Sequence, residues 1–197
     1  MPAAPTGTLD SMRNEARPPS PSRKRTRSAL AALAVLALVA CGERHDSKMF
    51  SSAPALPAAV FAATEPSGAR EVGDVRASAK EGERVVVRGR VGGEHDPIVL
   101  GSAVFTLADI DKLEVCDAGV CMTCETPWDA CCATSDRVVA NTLTVRVLGP
   151  DGKPLAADVT RSGVSPLAIV VVTGRVGPRT DPKVLGVDAE QLFVVKR

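Results

Sequence analysis

Five of the chain's six cysteines fall within seventeen residues, Cys116-Asp117-Ala118-Gly119-Val120-Cys121-Met122-Thr123-Cys124-Glu125-Thr126-Pro127-Trp128-Asp129-Ala130-Cys131-Cys132. Thiols this dense do one of three things: they cross-link, hold a metal, or exchange electrons. Zinc in a structural site is usually held by two separated C-x2-4-C pairs. Here Cys121 and Cys124 supply one pair, but the other is the adjacent Cys131-Cys132, which converges on one ion only with strain. Thiolate and thioether together, Cys121 with Met122, would suit Cu(I). A redox reading of the C-x-x-C lacks the βαβ pattern that would place it at a helix N-terminus. Disulfides fit best in a chain that leaves the cytosol. Neighbouring Cα atoms are about 3.8 Å apart, whereas an unstrained disulfide wants about 4.4–6.8 Å, so Cys131 and Cys132 should not bond to each other. Each is expected to reach back into 116–124, closing loops of a size worth about 3 kcal/mol in the chain-entropy picture.

The remaining chemistry-bearing residues are sparse. Trp128 is the only Trp and is expected to pack as a lid with its indole N–H satisfied locally, with ligand stacking as the second reading. His95 lies in a turn, Glu94-His95-Asp96-Pro97, and is expected to be solvated. Asp109, Asp111 and Glu114 have the oxygen ligands of a cation site, but a solvated loop is the simpler expectation. Arg88, Arg90, Arg146 and Arg175 fall on predicted strands and would make a basic, ligand-contacting face if all pointed one way. No Ser-His-Asp set or catalytic carboxylate pair stands out, so no enzyme activity is expected. No resident cofactor is expected either, Zn or Cu being the alternative.

The elements that position these residues begin after an address label. Arg23-Lys24-Arg25-Thr26-Arg27 is followed by twelve small or apolar residues, Ala29 to Ala40. As a helix that run reaches about 18 Å, short of the ~30 Å hydrocarbon core of a bilayer, and fits the apolar region of a secretory signal. Leu38-Val39-Ala40-Cys41 resembles the bacterial lipobox, which implies acylation of Cys41 and removal of residues 1–40. Met12 competes with Met1 as the true start. Gly42 does not resemble an inner-membrane retention signal. The expected location is therefore the cell envelope, lipid-anchored in the outer membrane and facing the periplasm, with the membrane as one partner and an unidentified protein or small molecule as another. The precursor carries 24 basic and 23 acidic residues, but residues 1–40 hold six basic and two acidic ones, so the mature chain has a net charge of −3. That charge, the absence of Tyr and the shortage of aromatics argue against nucleic acid as a ligand.

Residues 41–69 read as a flexible tether, rich in Pro, Ser and Ala, with a reach of roughly 30 Å. From Arg70 on, 24 of 128 residues are Val, which favours strands. Five are expected: Glu83–Val91, Ile98–Ala108, Thr142–Val147, Ala168–Val176, and one within Val184–Val195. Gly73–Lys80 suggests a helical turn. Gly149-Pro150-Asp151-Gly152 turns the chain, with Leu155–Val159 returning it. Val85-Val86-Val87-Arg88-Gly89-Arg90-Val91-Gly92-Gly93 matches Val170–Pro178 at seven of nine positions. A Gly inside each strand suggests a bulge or sharp coil where a small sheet closes. The expected fold of 70–197 is all-β: a five-stranded OB-like closed barrel with the cysteine-rich insert between strands two and three.

The block Cys116-x7-Cys124-x-Thr126-Pro127-Trp128-Asp129-x-Cys131-Cys132 resembles one in a group of small, uncharacterised exported bacterial proteins with an OB-like domain. Gly82-x-x-Val85-Val86-Val87-Arg88-Gly89-Arg90 and Ala103-Val104-Phe105-Thr106-Leu107-x-Asp109 extend the resemblance over roughly 72–196. It implies four paired cysteines, Cys116, Cys124, Cys131 and Cys132, and leaves Cys121 as the odd thiol. It supplies no reaction. The expectation is a lipid-anchored envelope protein with a disulfide-stapled binding or interaction module. The alternative is a metal-binding or thiol-redox protein built on Cys116, Cys121, Cys124, Cys131 and Cys132.

Overall fold

The computed structural model describes residues 52–114 and 125–195. Alternation of Val with polar residues sets the inner and outer faces of the strands. After a two-residue strand β1 (Arg70–Glu71) and helix α1 (Val72–Ser78), β2 (Arg84–Val91) buries Val85, Val87, Gly89 and Val91 and turns Arg84, Val86, Arg88 and Arg90 outward. Then come β3 (Val104–Ala108), helix α2 (Ser135–Ala140), β4 (Thr142–Arg146), β5 (Ile169–Val176) and β6 (Gly186–Val194).

β2 pairs antiparallel with β3 and with β5, β3 with β4, and β5 with β6, while β4 and β6 run parallel. The ring β2–β3–β4–β6–β5 therefore closes on itself, and β1 is added parallel to β2. This is an all-β, OB-like barrel, as the Val-rich pattern predicts. Its interior is filled by Val87, Val91, Phe105, Leu107, Val145 and Leu192, each 0–1% exposed, worth about 1.5–3 kcal/mol apiece for full burial.

The two similar segments are β2 and β5, and they lie against each other. Because they run antiparallel, each strand's Gly faces the other's Val: Val85 opposite Gly174, and Gly89 opposite Val170. The sheet register shifts at Thr173/Gly174, where a Cβ on Gly174 would collide with the Asp188 carbonyl oxygen. A Cβ on Gly89 would sit 2.8 Å from Val72 Cγ2. One glycine thus makes room for a bulge in β6 and the other for α1.

Two expectations about extent are corrected. The predicted strand Ile98–Ala108 is a tight hairpin: Val99 N–H donates to the Val104 carbonyl, Ile98 bridges Phe105, and Gly101 takes φ +74° at the tip. A Gly in the left-handed region ends a strand that hydropathy alone would run straight through. The tether expected over 41–69 is not loose along its described length. Leu56 is 6% exposed and packs in the barrel core, with Val60 and Phe61 against it. Pro54 carbonyl accepts from Asp158 N–H, Leu56 N–H donates to Ser162 Oγ, and Ala62 N–H to the Leu192 carbonyl. β4 and β6 pair over only three residues, so Phe61 takes the edge of β6 that β4 leaves free. Pro-rich composition imitates a linker, but three apolar side chains suffice to seat it.

The turn at Gly149–Gly152 forms, and Leu155 N–H returns to the Val147 carbonyl. The chain then makes a 3-10 turn at Val159–Ser162, where a strand end was expected.

Candidate functional site

In OB barrels the ligand face is the outer side of the second and third barrel strands, between the loops that join strands one to two and four to five. Here those strands are β3 and β4. Their outward positions carry Thr106 directly opposite Thr144, and Ala108 opposite Thr142. Thr106 and Thr142 are buried, Thr142 Oγ1 donating to the Val138 carbonyl (2.9 Å), and Thr144 is half-buried. The three Thr line a small cleft of about 50 Å³, room for a few waters or the end of one chemical group. Glu94 of the β2–β3 loop, Arg76 of α1, and Lys183 and Val184 of the β5–β6 loop form its walls.

Arg76 is the strut of this site. Its Nη1 donates to the Thr142 carbonyl (3.1 Å), and its Nη2 to the carbonyls of Lys183 (2.6 Å) and Pro182 (3.3 Å). One guanidinium thus fastens the β5–β6 loop and the start of β4 to α1, a use of planar multi-donor geometry that Lys could not match. Burial, and then the neighbouring Arg179, hold its pKa below the ordinary arginine value. Across the cleft, burial of the Glu94 carboxyl, and then the Asp129 charge, raise its pKa. The exposed large apolar residues of the described chain sit on the same two loops: Val99 and Leu100 on one, Val184 on the other.

Trp128 closes the β2–β3 side. Its carbonyl accepts from Gly93 N–H (2.8 Å), and its indole N–H donates to the His95 carbonyl (2.9 Å). Gly92 and Gly93 are obligatory here. Both have positive φ, and a Cβ on Gly92 would lie 2.6 Å from the Trp128 oxygen. Leu113 and Ala130, fully or nearly buried, form a second small core with Ala108 beneath the insert, flanked by Ala133 and Val138. α2 follows, with Thr134 as its N-cap.

Of the sequence-predicted residues, Cys41, Cys116, Cys121 and Cys124 lie outside the described residues. Cys131 and Cys132 are exposed with sulfurs 3.9 Å apart, in thiol contact and not joined as a disulfide. Among the described residues no group of three or more His, Cys, Asp or Glu side chains is arranged to hold a metal ion. The four arginines do not make one basic face. Arg88 is half-buried beside Glu71 of β1, and Arg90 is half-buried further along the same row. Arg175 and Arg146 belong instead to a belt that runs Arg84–Arg175–Asp188–Arg146 in register around the barrel. Glu190 bridges Arg84 (3.0 Å) and Arg175 (3.2 Å), and Asp188 holds Arg146 (2.7 Å). Sequence periodicity places these residues outward but says nothing of the acids opposite them.

Asp109 is 1% exposed, not solvated as its loop position suggested. Its Oδ2 accepts from Gly73 N–H, and its Oδ1 from the N–H groups of Asp111 and Lys112. Asp111 and Glu114 are exposed, and so is His95, whose Nδ1 meets Asp96 at 3.1 Å. That bond raises the His95 pKa. Arg76, Glu94, Lys183 and the three Thr were not singled out by the sequence. The alternation Thr142-Leu143-Thr144 was the available signal for two of them.

No known family model matches the chain, and no curated protein matches it. Among solved structures it is similar to a crystal structure of an aspartyl-tRNA synthetase candidate from Leishmania major Friedlin, at 9% identity and a TM-score of 0.34, over 75% of this chain and 25% of that one. The chain thus spans a quarter of that protein's length.

Proposed function

We propose that the protein is a lipid-anchored cell-envelope protein whose OB-like barrel is a non-catalytic binding module. The observation that carries the binding half is the convergence of two loops on the Thr106–Thr144 face, with exposed Val99, Leu100 and Val184 on those same loops. Of the three, Val184 lines the cleft itself, and an apolar side chain left in water beside a polar cleft is what a protein partner or an amphipathic small molecule would cover. The anchoring half is supported by the basic cluster, the apolar run and Leu38-Val39-Ala40-Cys41. Gly42 supports outer-membrane sorting, with the barrel in the periplasm.

Fractionation of cells expressing the full chain and its Cys41→Ala variant tests this reading. The native chain should sediment with outer membranes and resist salt extraction, whereas the variant should be released or retained unprocessed. Equal distribution of both would refute anchoring at Cys41. Site-directed photocrosslinkers at positions 100 and 184 should yield one shared adduct, and no adduct at either would refute the binding face.

A further inference from the structure

An open groove of about 630 Å³ lies away from the threonine cleft, where the arm and the end of β6 diverge. Phe61, Phe193, Val194 and Val195 give it apolar walls, with Glu65 and Ser162 at its rim. We propose that this groove is the seat of the chain's own Met49-Phe50, so that the arm is clamped to the barrel ahead of its described start.

Three observations choose this occupant. First, the described chain starts beside the groove: the Ala53 carbonyl accepts from Arg161, and Leu56 N–H from the arm binds Ser162 Oγ at the rim. A chain advances about 3.3–3.6 Å per extended residue, so Phe50 is within reach of a wall that Ala53 already neighbours. Second, in 42–51 the residues are Gly-Glu-Arg-His-Asp-Ser-Lys-Met-Phe-Ser, and Met49 and Phe50 are the large apolar ones. An aromatic ring and a thioether suit a groove whose walls include two Phe rings. Third, Lys48 precedes the pair and would bring a positive charge to the carboxylate at the rim, Glu65.

The docking itself does not depend on acylation, but its consequence rests on the anchoring proposed above. With residues 42–52 free ahead of the seated arm, the mean reach from Cys41 is roughly 18 Å. With Met49 onward fixed, seven residues remain and the reach falls to about 15 Å. The barrel would then stand close over the bilayer.

The test uses the whole chain, purified with whatever lipid it carries. The sequence holds four Phe, so selective ring labelling gives four NMR signals. The Phe50 signal, assigned with Phe50→Leu, should show contacts to the Phe193 ring and the Val195 methyls. Tryptic cleavage after Lys48 should be slow in the native chain. It should quicken about tenfold or more in Phe50→Ser, the scale set by burying one aromatic side chain, and stay slow in Phe50→Leu. Ala63→Trp, which fills the groove from its exposed wall, should also quicken cleavage. An averaged Phe50 ring with fast cleavage at Lys48 in the native chain overturns the proposal, whether or not Cys41 is acylated. A dimer that covers the groove while Lys48 stays open to trypsin overturns it too.

Discussion

Asp109 shows how much one buried carboxylate can organise. It receives three backbone N–H groups, one from α1 and two from the chain leaving β3, and so sets where the insert departs from the barrel. Asp109→Ala strands these donors, and because bonds to a charged acceptor contribute more than neutral ones, the cost should be about 2–4 kcal/mol. Thermal unfolding should register it as a fall in Tm of roughly 5–15 °C. Glu71, nearby, has the opposite character. Its Oε2 is buried with no hydrogen-bond partner among the described residues, and burial first, then Asp109 and Asp111, raise its pKa above the ordinary 4.5. A carboxyl that holds its proton more tightly when folded destabilises the native state once ionised. That cost is present above the folded-state pKa and fades as the pH falls towards 4.5. Glu71→Gln should therefore raise Tm by a few °C near pH 8, with the gain shrinking as the solution is acidified; a gain independent of pH would contradict this. Neither role was legible beforehand. An Asp or Glu in a loop reads as solvated, and only the three-dimensional return of α1 over β3 buries it.

At the scale of elements, the β2–β3 loop and the limb carrying Trp128 act as one unit. Gly92→Ala would press a methyl into the Trp128 carbonyl and push that limb off. Trp128 being the only Trp, its emission should shift to the red and quench more readily, while far-UV circular dichroism keeps its strand signal; an unchanged spectrum would mean the limb is held elsewhere. Gly174→Ala should be more costly for the barrel itself, since the obstacle is the backbone of Asp188 rather than a side chain that can swing away; about 2–4 kcal/mol is expected from denaturant unfolding. The sequence showed these strands well because Val alternation and paired Gly residues act locally. It misjudged the hairpin at Gly101, which a single left-handed Gly turns, and the 3-10 turn at Val159, which the Asp158 side chain caps. It missed Arg76, whose partners are carbonyls 66, 106 and 107 positions away.

On the scale of the whole molecule, a small barrel with a gap between β4 and β6 is completed by its own arm. Leu56→Ala should cost about 2–3 kcal/mol despite lying in a segment that composition marks as linker, and proteolysis within the arm should quicken in step. The arm also leaves eleven residues between Cys41 and Ala53, so a lipid at Cys41 would hold the barrel near the membrane. Intact mass spectrometry of the membrane-purified chain, without reductant and after metal removal, tests this most directly. The predicted species begins at residue 41, carries acyl mass, and is four hydrogens lighter than the reduced chain. A soluble species still bearing its first forty residues, with all six thiols reduced or a tightly held ion, would contradict it.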